Sequence, residues 1–302
     1  MKNNMLNAHI SAFITIIIWG TTFISTKLLL SDFTPIEILF IRFVLGLIAL
    51  LIISPKLFKF KSIREELTFA GAGLSGICLY YLIENIALTH TMASNVGVII
   101  STAPFFTAIL SRIFIKNDEK LKANFFIGFG IAIIGICLIS FNGTKAQINP
   151  LGDILALIAA FVWAIYSLLT KKISSFGYNT IHTTRRIFTY GIIFMLPLVF
   201  IFNLSFDINK ISETKNILNL LYLGLGASAL CFVTWNYAVK KLGAIKTSIY
   251  IYLVPVITVL TSAIFLKEKF TAISAIGTVF TLIGLFVSEI KFDRKRNRKN
   301  EL

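Results

Sequence analysis

Hydrophobic residues along the chain fall into runs of roughly 20, the length a helix needs to cross about 30 Å of hydrocarbon. Ten such runs are readable, at residues 8–30, 36–54, 67–89, 94–115, 123–141, 151–171, 181–203, 217–239, 246–266 and 272–290. The connections between them are short, and the one sizeable tail is the basic stretch from Lys291 to Leu302. Lys2 ahead of the first run resembles the start of a signal peptide. That run is too long for a signal core and no small-residue cleavage site follows it, so it is read as helix one. The pattern predicts an all-α integral membrane protein of ten transmembrane helices.

Composition agrees with the pattern. Hydrophobic residues make up 56% of the chain and charged residues 14%, with a mean hydropathy of +0.83. A soluble domain sits nearer roughly 45–50% and 25%. The net charge of +15 would suit nucleic acid, but the positions of the charges argue otherwise. With a cytoplasmic N-terminus, inner loops and termini hold 19 of the 29 Lys and Arg, among them Lys56, Lys59, Lys61, Arg64, Lys171, Lys172, Lys240 and Lys241. The outer loops hold five, and five lie within the runs: Lys27, Arg42, Arg112, Arg185 and Arg186. This positive-inside bias puts both termini in the cytoplasm. The C-terminal cluster Arg294, Lys295, Arg296, Arg298 and Lys299 then faces anionic lipid headgroups rather than nucleic acid. Cys78, Cys137 and Cys231 lie in three different runs and read as buried small hydrophobes, with no metal or disulfide spacing.

The second half of the chain can be laid over the first. An offset of 144 pairs Trp19 with Trp163, Lys27 with Lys171 and Arg42 with Arg186. An offset of 151 pairs Gly73 with Gly224, Asn85 with Asn236 and Pro104 with Pro255, and one of 149 pairs Glu119 with Glu268, Gly128 with Gly277 and Gly135 with Gly284. Coincident Ile and Leu would mean little, but Trp, Arg, Asn and Pro are scarce here. Five helices is an odd number, so the second half enters the membrane from the opposite side. The expected units are residues 1–145, residues 146–290 and a cytoplasmic tail, 291–302. Inverted repeats of this kind are typical of secondary transporters, with the substrate near the midplane where the halves meet.

These residues also carry a family resemblance. Trp19-Gly20, Arg42, Asn85-x-Ala87-Leu88, Ala93, Pro104, Glu119-Lys120-Leu121, Gly128 and Gly135, with Gly152-Asp153, Trp163-Ala164, Pro255, Glu268-Lys269, Gly277 and Gly284, occur in the order seen in EamA-type ten-helix permeases. The chain therefore resembles that branch of the drug/metabolite transporter superfamily over nearly its whole length. The resemblance implies movement of small metabolites, often amino acids or related amphiphiles, at the cytoplasmic membrane. It implies no cofactor and no enzymatic activity.

The candidate chemistry lies inside the runs. A charge at a helix centre costs about 2.5–3.5 kcal/mol on insertion scales, so intramembrane charges call for a role. Glu84 and Arg42 sit at similar depths from the outer surface, which allows an ion pair joining helices two and three. An unpaired Glu84 would instead be a candidate proton carrier, making the proton a possible coupling ion. Trp235 stands at the equivalent place in the second half, so the acid is not duplicated. Arg186 must then find another partner or lie near the cytoplasmic surface beside Arg185 and His182, and the surface is the expected place for both arginines. Pro104 and Pro255, at matched mid-helix places, should kink their helices and mark the binding site or a hinge. Trp19, Tyr81, Asn85, Trp163, Trp235, Asn236 and Tyr252 supply aromatic and amide groups for an amphiphile pocket. Gly71, Gly73 and Gly76 match a dinucleotide-binding spacing but lie inside helix three, where small residues serve close packing. A membrane-embedded enzyme would need a clustered nucleophile or metal site, and a receptor-like bundle would not need matched prolines. Neither reading fits as well as a carrier.

Overall fold

The computed structural model describes residues 2–55, 61–114, 123–140, 150–202, 204, 207–268 and 271–289; among them every regular element is helical. Helix α1 is Lys2–Leu29, α2 Pro35–Ile53, α3 Ile63–His90, α4 Ala93–Phe114 and α5 Ala123–Ser140. In the second half α6 is Pro150–Ser174, α7 Thr180–Ile201, α8 Thr214–Leu242, α9 Ala244–Phe265 and α10 Ala272–Glu289. Most of their ends fall within four residues of the predicted runs. Eight are long and apolar enough to cross a membrane, while α5 and α10 carry shorter apolar stretches, Ala123–Gly135 and Ala272–Val287. Large apolar side chains such as Ile52, Phe200 and Phe286 point outward, as lipid solvation allows. The chain is a multi-pass membrane protein.

The short connections are set by local chemistry. Thr34 caps α2 in a reciprocal box: its hydroxyl accepts from Glu37 N, and the Glu37 carboxylate accepts from Thr34 N. Pro35 follows in the first turn, where a missing N–H leaves nothing unsatisfied. Ser62 accepts from Glu65 N at the start of α3, and Asn179 from Ile181 N at the start of α7. Gly243, at φ 88°, ends α8 and lets α9 begin at the next residue.

Four of the helices are irregular in their middles, and in matched pairs. Helix α3 widens to π-geometry at Leu74–Leu79, and α8 does so at Tyr222–Leu230. The offset of 151 brings the first segment onto the second. Helix α4 breaks at Ser101–Thr102, and α9 tightens into a 3-10 turn at Ile249–Leu253. Pro104 and Pro255 each sit in the first turn after the interruption. Where a kink was expected, each helix is interrupted, and the proline occupies a place where its missing N–H is harmless.

Helices of the two halves interleave. Helix α1 packs on α8 and α9, α6 on α3 and α4, α2 on α8, and α7 on α3. Helices α5 and α10 pack on each other through glycines. A Cβ on Gly135 would meet Thr281 N at 2.4 Å, and one on Gly284 would meet Ala132 N at 2.4 Å. The late part of α5 thus faces the middle of α10, and the late part of α10 faces the middle of α5. The two run antiparallel with backbones too close for any larger residue. Cys78 and Cys231 are buried as expected; Cys137 is exposed on α5, a correction that follows from that helix lying at the periphery.

Candidate functional site

All three tryptophans of the chain meet at the centre of the bundle. Trp19 of α1 lies 5.2 Å from Trp163 of α6, edge to face, and 5.0 Å from Trp235 of α8. Tyr80 stands 4.8 Å from Trp163 and 4.6 Å from Tyr81, and Tyr166 is 4.9 Å from Trp163. Such tilted and edge contacts suit the ring quadrupoles and make the cluster rigid. Trp19 is further fixed by donating from Nε1 to Ala227 O at 2.9 Å, a carbonyl within the π-segment of α8. Trp163 and Trp235 have no hydrogen-bond partner for Nε1 among the described residues.

A small cavity of about 30 Å³ adjoins this cluster, lined by Trp19, Tyr80, Tyr81, Glu84 and Trp163 with aliphatic residues of α4 and α9. It has room for a water molecule or two, far less than a metabolite requires. Its walls come from α1, α3, α4, α6 and α9, so both halves contribute. Glu84 is the one charged group in the lining. Its Oε1 has no hydrogen-bond partner among the described residues, although the side chain is 1% exposed.

Arg42 is fully buried close by, but the expected Arg42–Glu84 ion pair is not formed. Arg42 Nε donates to Ser228 Oγ of α8 at 3.1 Å, and the guanidinium lies 4.3 Å from the Tyr81 ring centre. Similar depth placed the two residues at one level. Azimuth separates them, because α2 packs on α8 and turns Arg42 toward it. Arg42 Nη1 and Nη2 are left without hydrogen-bond partners among the described residues.

The second-half arginine differs. Arg186 was expected near the surface, yet it is buried, ion-paired with Glu66 of α3, and bonded to it again through Nε at 3.0 Å. Tyr190 donates to the same carboxylate, and Phe69 packs against the guanidinium. Arg185, also buried, donates to Ser54 O. Acids at the start of α3 supply this cluster, which depth counting along α7 alone could not reveal.

Four other predicted site residues do not line the cavity; one of them, Trp235, packs on Trp19 beside it. Asn85 donates to Pro35 O at 3.1 Å, tying α3 to the start of α2. Asn236 accepts from the Tyr166 hydroxyl and donates to Thr184 Oγ1, both at 3.0 Å, linking α6, α7 and α8. Tyr252 packs in a separate cluster with Phe105 and Phe125. Tyr80 and Tyr166 were not among the predicted pocket residues. The Tyr80-Tyr81 pair was visible, but the π-segment just before it sets where both rings point.

The two ends of the bundle are unlike. At the Lys-rich end a cleft of about 490 Å³ opens between Asn7 and Ser11 of α1, Asn179, and Thr234, Tyr237 and Lys240 of α8. Thr15 Oγ1 and Thr234 Oγ1 hydrogen-bond at 2.6 Å between that cleft and the tryptophans. The opposite end is latched around the turn from α3 to α4. Glu268 accepts from Ala93 N at 2.9 Å, Ser94 N at 3.2 Å and Ser94 Oγ at 2.7 Å, capping α4. The Lys27 ammonium donates to Leu88 O and Thr91 O at the end of α3. Asp153 of α6 accepts from Thr91 Oγ1 at 3.0 Å. An acid at a helix start and a cation at a helix end each complement the helix dipole. Glu119, Lys120 and Lys269 lie outside the described residues.

Comparison with known proteins adds to this geometry. The profile of the EamA-like transporter family matches residues 6–141 and again 150–289. A protein of Archaeoglobus fulgidus described as an "uncharacterized transporter" is 29% identical over 290 residues, covering 94% of this chain and 97% of its own length. A "probable terminal-alkyne amino-acid exporter" of Streptantibioticus cattleyicolor is 24% identical, with 91% and 90% covered. A "probable amino-acid metabolite efflux pump" of Escherichia coli is also 24% identical, with 92% and 93% covered. One solved crystal structure, of a protein 18% identical, has the same fold, with a TM-score of 0.65 over 93% of this chain and 96% of the other.

Proposed function

This chain belongs to the EamA-like transporter family, and from that premise we propose that it is a secondary transporter exporting amino acids or similar amphiphilic metabolites across the cytoplasmic membrane. Ten crossings form two halves of opposite orientation, 1–145 and 146–290, with both termini cytoplasmic. Support for the repeat comes from the family profile matching twice, the paired π-segments and the antiparallel α5 and α10. The swapped contacts add to it: Gly73 packs on the Ile187 and Gly191 backbone, while Gly224 packs on Leu45 and the Arg42 carbonyl. The names of the relatives favour amino-acid export.

The observation that carries the mechanism is a small cavity between the halves with a cleft at one end and a latch at the other. A solute too large for 30 Å³ can enter only if one end separates. Parting of Thr15 from Thr234 would open the cavity to the cytoplasm, and release of Lys27 and Glu268 would open it outward. Alternation of the two is alternating access. A proton is the coupling ion this site could carry, on Glu84. The ionisable groups within reach of that carboxylate are Tyr80, Tyr81 and Arg42. Proteoliposomes holding the purified chain should exchange radiolabelled amino acids faster than protein-free vesicles, and an imposed pH gradient should drive the exchange. A folded protein that moved nothing across a broad metabolite panel would defeat the proposal. Unchanged pH dependence in Glu84→Gln would remove Glu84 from coupling.

A further inference from the structure

We infer that the central cavity recognises its solute by an ammonium group, held by the Glu84 carboxylate among the ring faces of Trp19, Trp163, Tyr80 and Tyr81. The inference rests on the transport reading and names the handle that reading leaves open. Three observations converge on it. Glu84 is the one charged residue lining the cavity, and Oε1 is buried with no hydrogen-bond partner among the described residues. A buried carboxylate oxygen without a donor is costly, and an N–H group entering the cavity would satisfy it. Five of the lining residues are aromatic, Phe23 among them, and ring faces attract cations while repelling anions. The same walls therefore favour a cation twice over and disfavour a carboxylate or phosphate.

Arg42 sharpens the choice. Its guanidinium lies against Tyr81, outside the lining, and forms no ion pair among the described residues. The Tyr81 ring lines the cavity that Arg42 does not, so an anionic solute would meet Glu84 and ring faces rather than the arginine. Within the empty cavity the Arg42 charge offsets Glu84 without touching it. Tyr80 hydrogen-bonds the Glu84 carboxylate, and Oε1 is left to take a solute cation.

A matched set of probes tests this, since phenylalanine, phenethylamine and 3-phenylpropionate share one ring and differ in their charged groups. Because all three tryptophans lie in the cluster, intrinsic fluorescence of the purified full chain reports occupancy directly. Phenylalanine and phenethylamine should change the fluorescence saturably, and 3-phenylpropionate and N-acetylphenylalanine should not. Glu84→Gln should weaken binding of the two amines roughly tenfold or more, as loss of a buried charge partner does, and Glu84→Asp should restore part of it. Glu84→Asp keeps the charge in a similar volume, so a folding defect in Glu84→Gln alone cannot imitate the pattern. Binding of 3-phenylpropionate equal to that of the amines, binding unaltered in Glu84→Gln, or no response to any probe up to its solubility limit overturns the inference. Flux measured in parallel separates the two claims. Flux without ammonium preference leaves the transporter and removes the ammonium site, whereas ammonium-selective binding without flux does the reverse.

Discussion

Arg42 and Arg186 stand at equivalent places in the two halves, and their surroundings are opposite. Arg186 has an acid, Glu66, a tyrosine hydroxyl on that acid, and a ring against its guanidinium. Arg42 is more deeply buried, yet it has one serine, one aromatic face and two nitrogens without a hydrogen-bond partner among the described residues. A buried charge paired directly with an acid belongs to the architecture. One left incompletely paired beside a cavity that also holds an unsatisfied carboxylate belongs to whatever the cavity does. Two arginines 144 residues apart thus do different work.

That contrast can be pressed with substitutions. The largest effect is expected at the cluster that Arg42 backs: Trp19→Ala removes a ring from the centre and should cost about 3–5 kcal/mol. It should also abolish any protection that expression gives cells against toxic amino-acid analogues, read as growth. Glu66→Gln comes next. Removing one partner of a buried pair typically costs about 3–5 kcal/mol, and the partial exposure of Glu66 places this case at about 3 kcal/mol. Thermal unfolding of the purified protein measures it. Glu268→Gln weakens charge-assisted bonds to the start of α4 and should cost about 2 kcal/mol. Its sharper readout is faster maleimide labelling of a cysteine placed at Met92, because the latched end opens more often. Arg42→Met should have the smallest effect on stability, about 1 kcal/mol, since it removes a buried guanidinium that forms no ion pair among the described residues but whose charge offsets Glu84. Its amino-acid flux should nevertheless fall. Equal destabilisation by Arg42→Met and Glu66→Gln would erase the distinction between the two arginines.

How much of this was legible depended on which forces act along one dimension. The length of each hydrophobic run is dictated by the bilayer, so the helices α1 to α10 could be placed from spacing alone. Trp19 and Trp163 were found because scarce residues recur at one offset. The pair Glu84 and Arg42 was matched by depth, which counting along a helix gives, and missed by azimuth, which depends on the neighbour each helix chooses. Tyr80 escaped because the π-segment just before it alters the rotation per residue, and the apolar pattern does not record it. Asn85 and Asn236 were assigned to the pocket on residue type, yet both serve as ties between helices. The Glu268 motif was noticed without its role, since the helix it caps lies far away in sequence. One signal went unused: Asn7, Ser11, Thr15 and Trp19, four apart, form a single polar ridge from the cleft to the cage.

The central claim is that a path between α1 and α8 must open for solute to reach the tryptophan cage. Thr15→Cys with Thr234→Cys, in a chain whose three native cysteines are replaced, puts two thiols where hydroxyls now meet at 2.6 Å. Flux of a radiolabelled amino-acid mixture should stop when that pair is oxidised and return when it is reduced. Flux that continues at full rate through the oxidised protein would contradict the account.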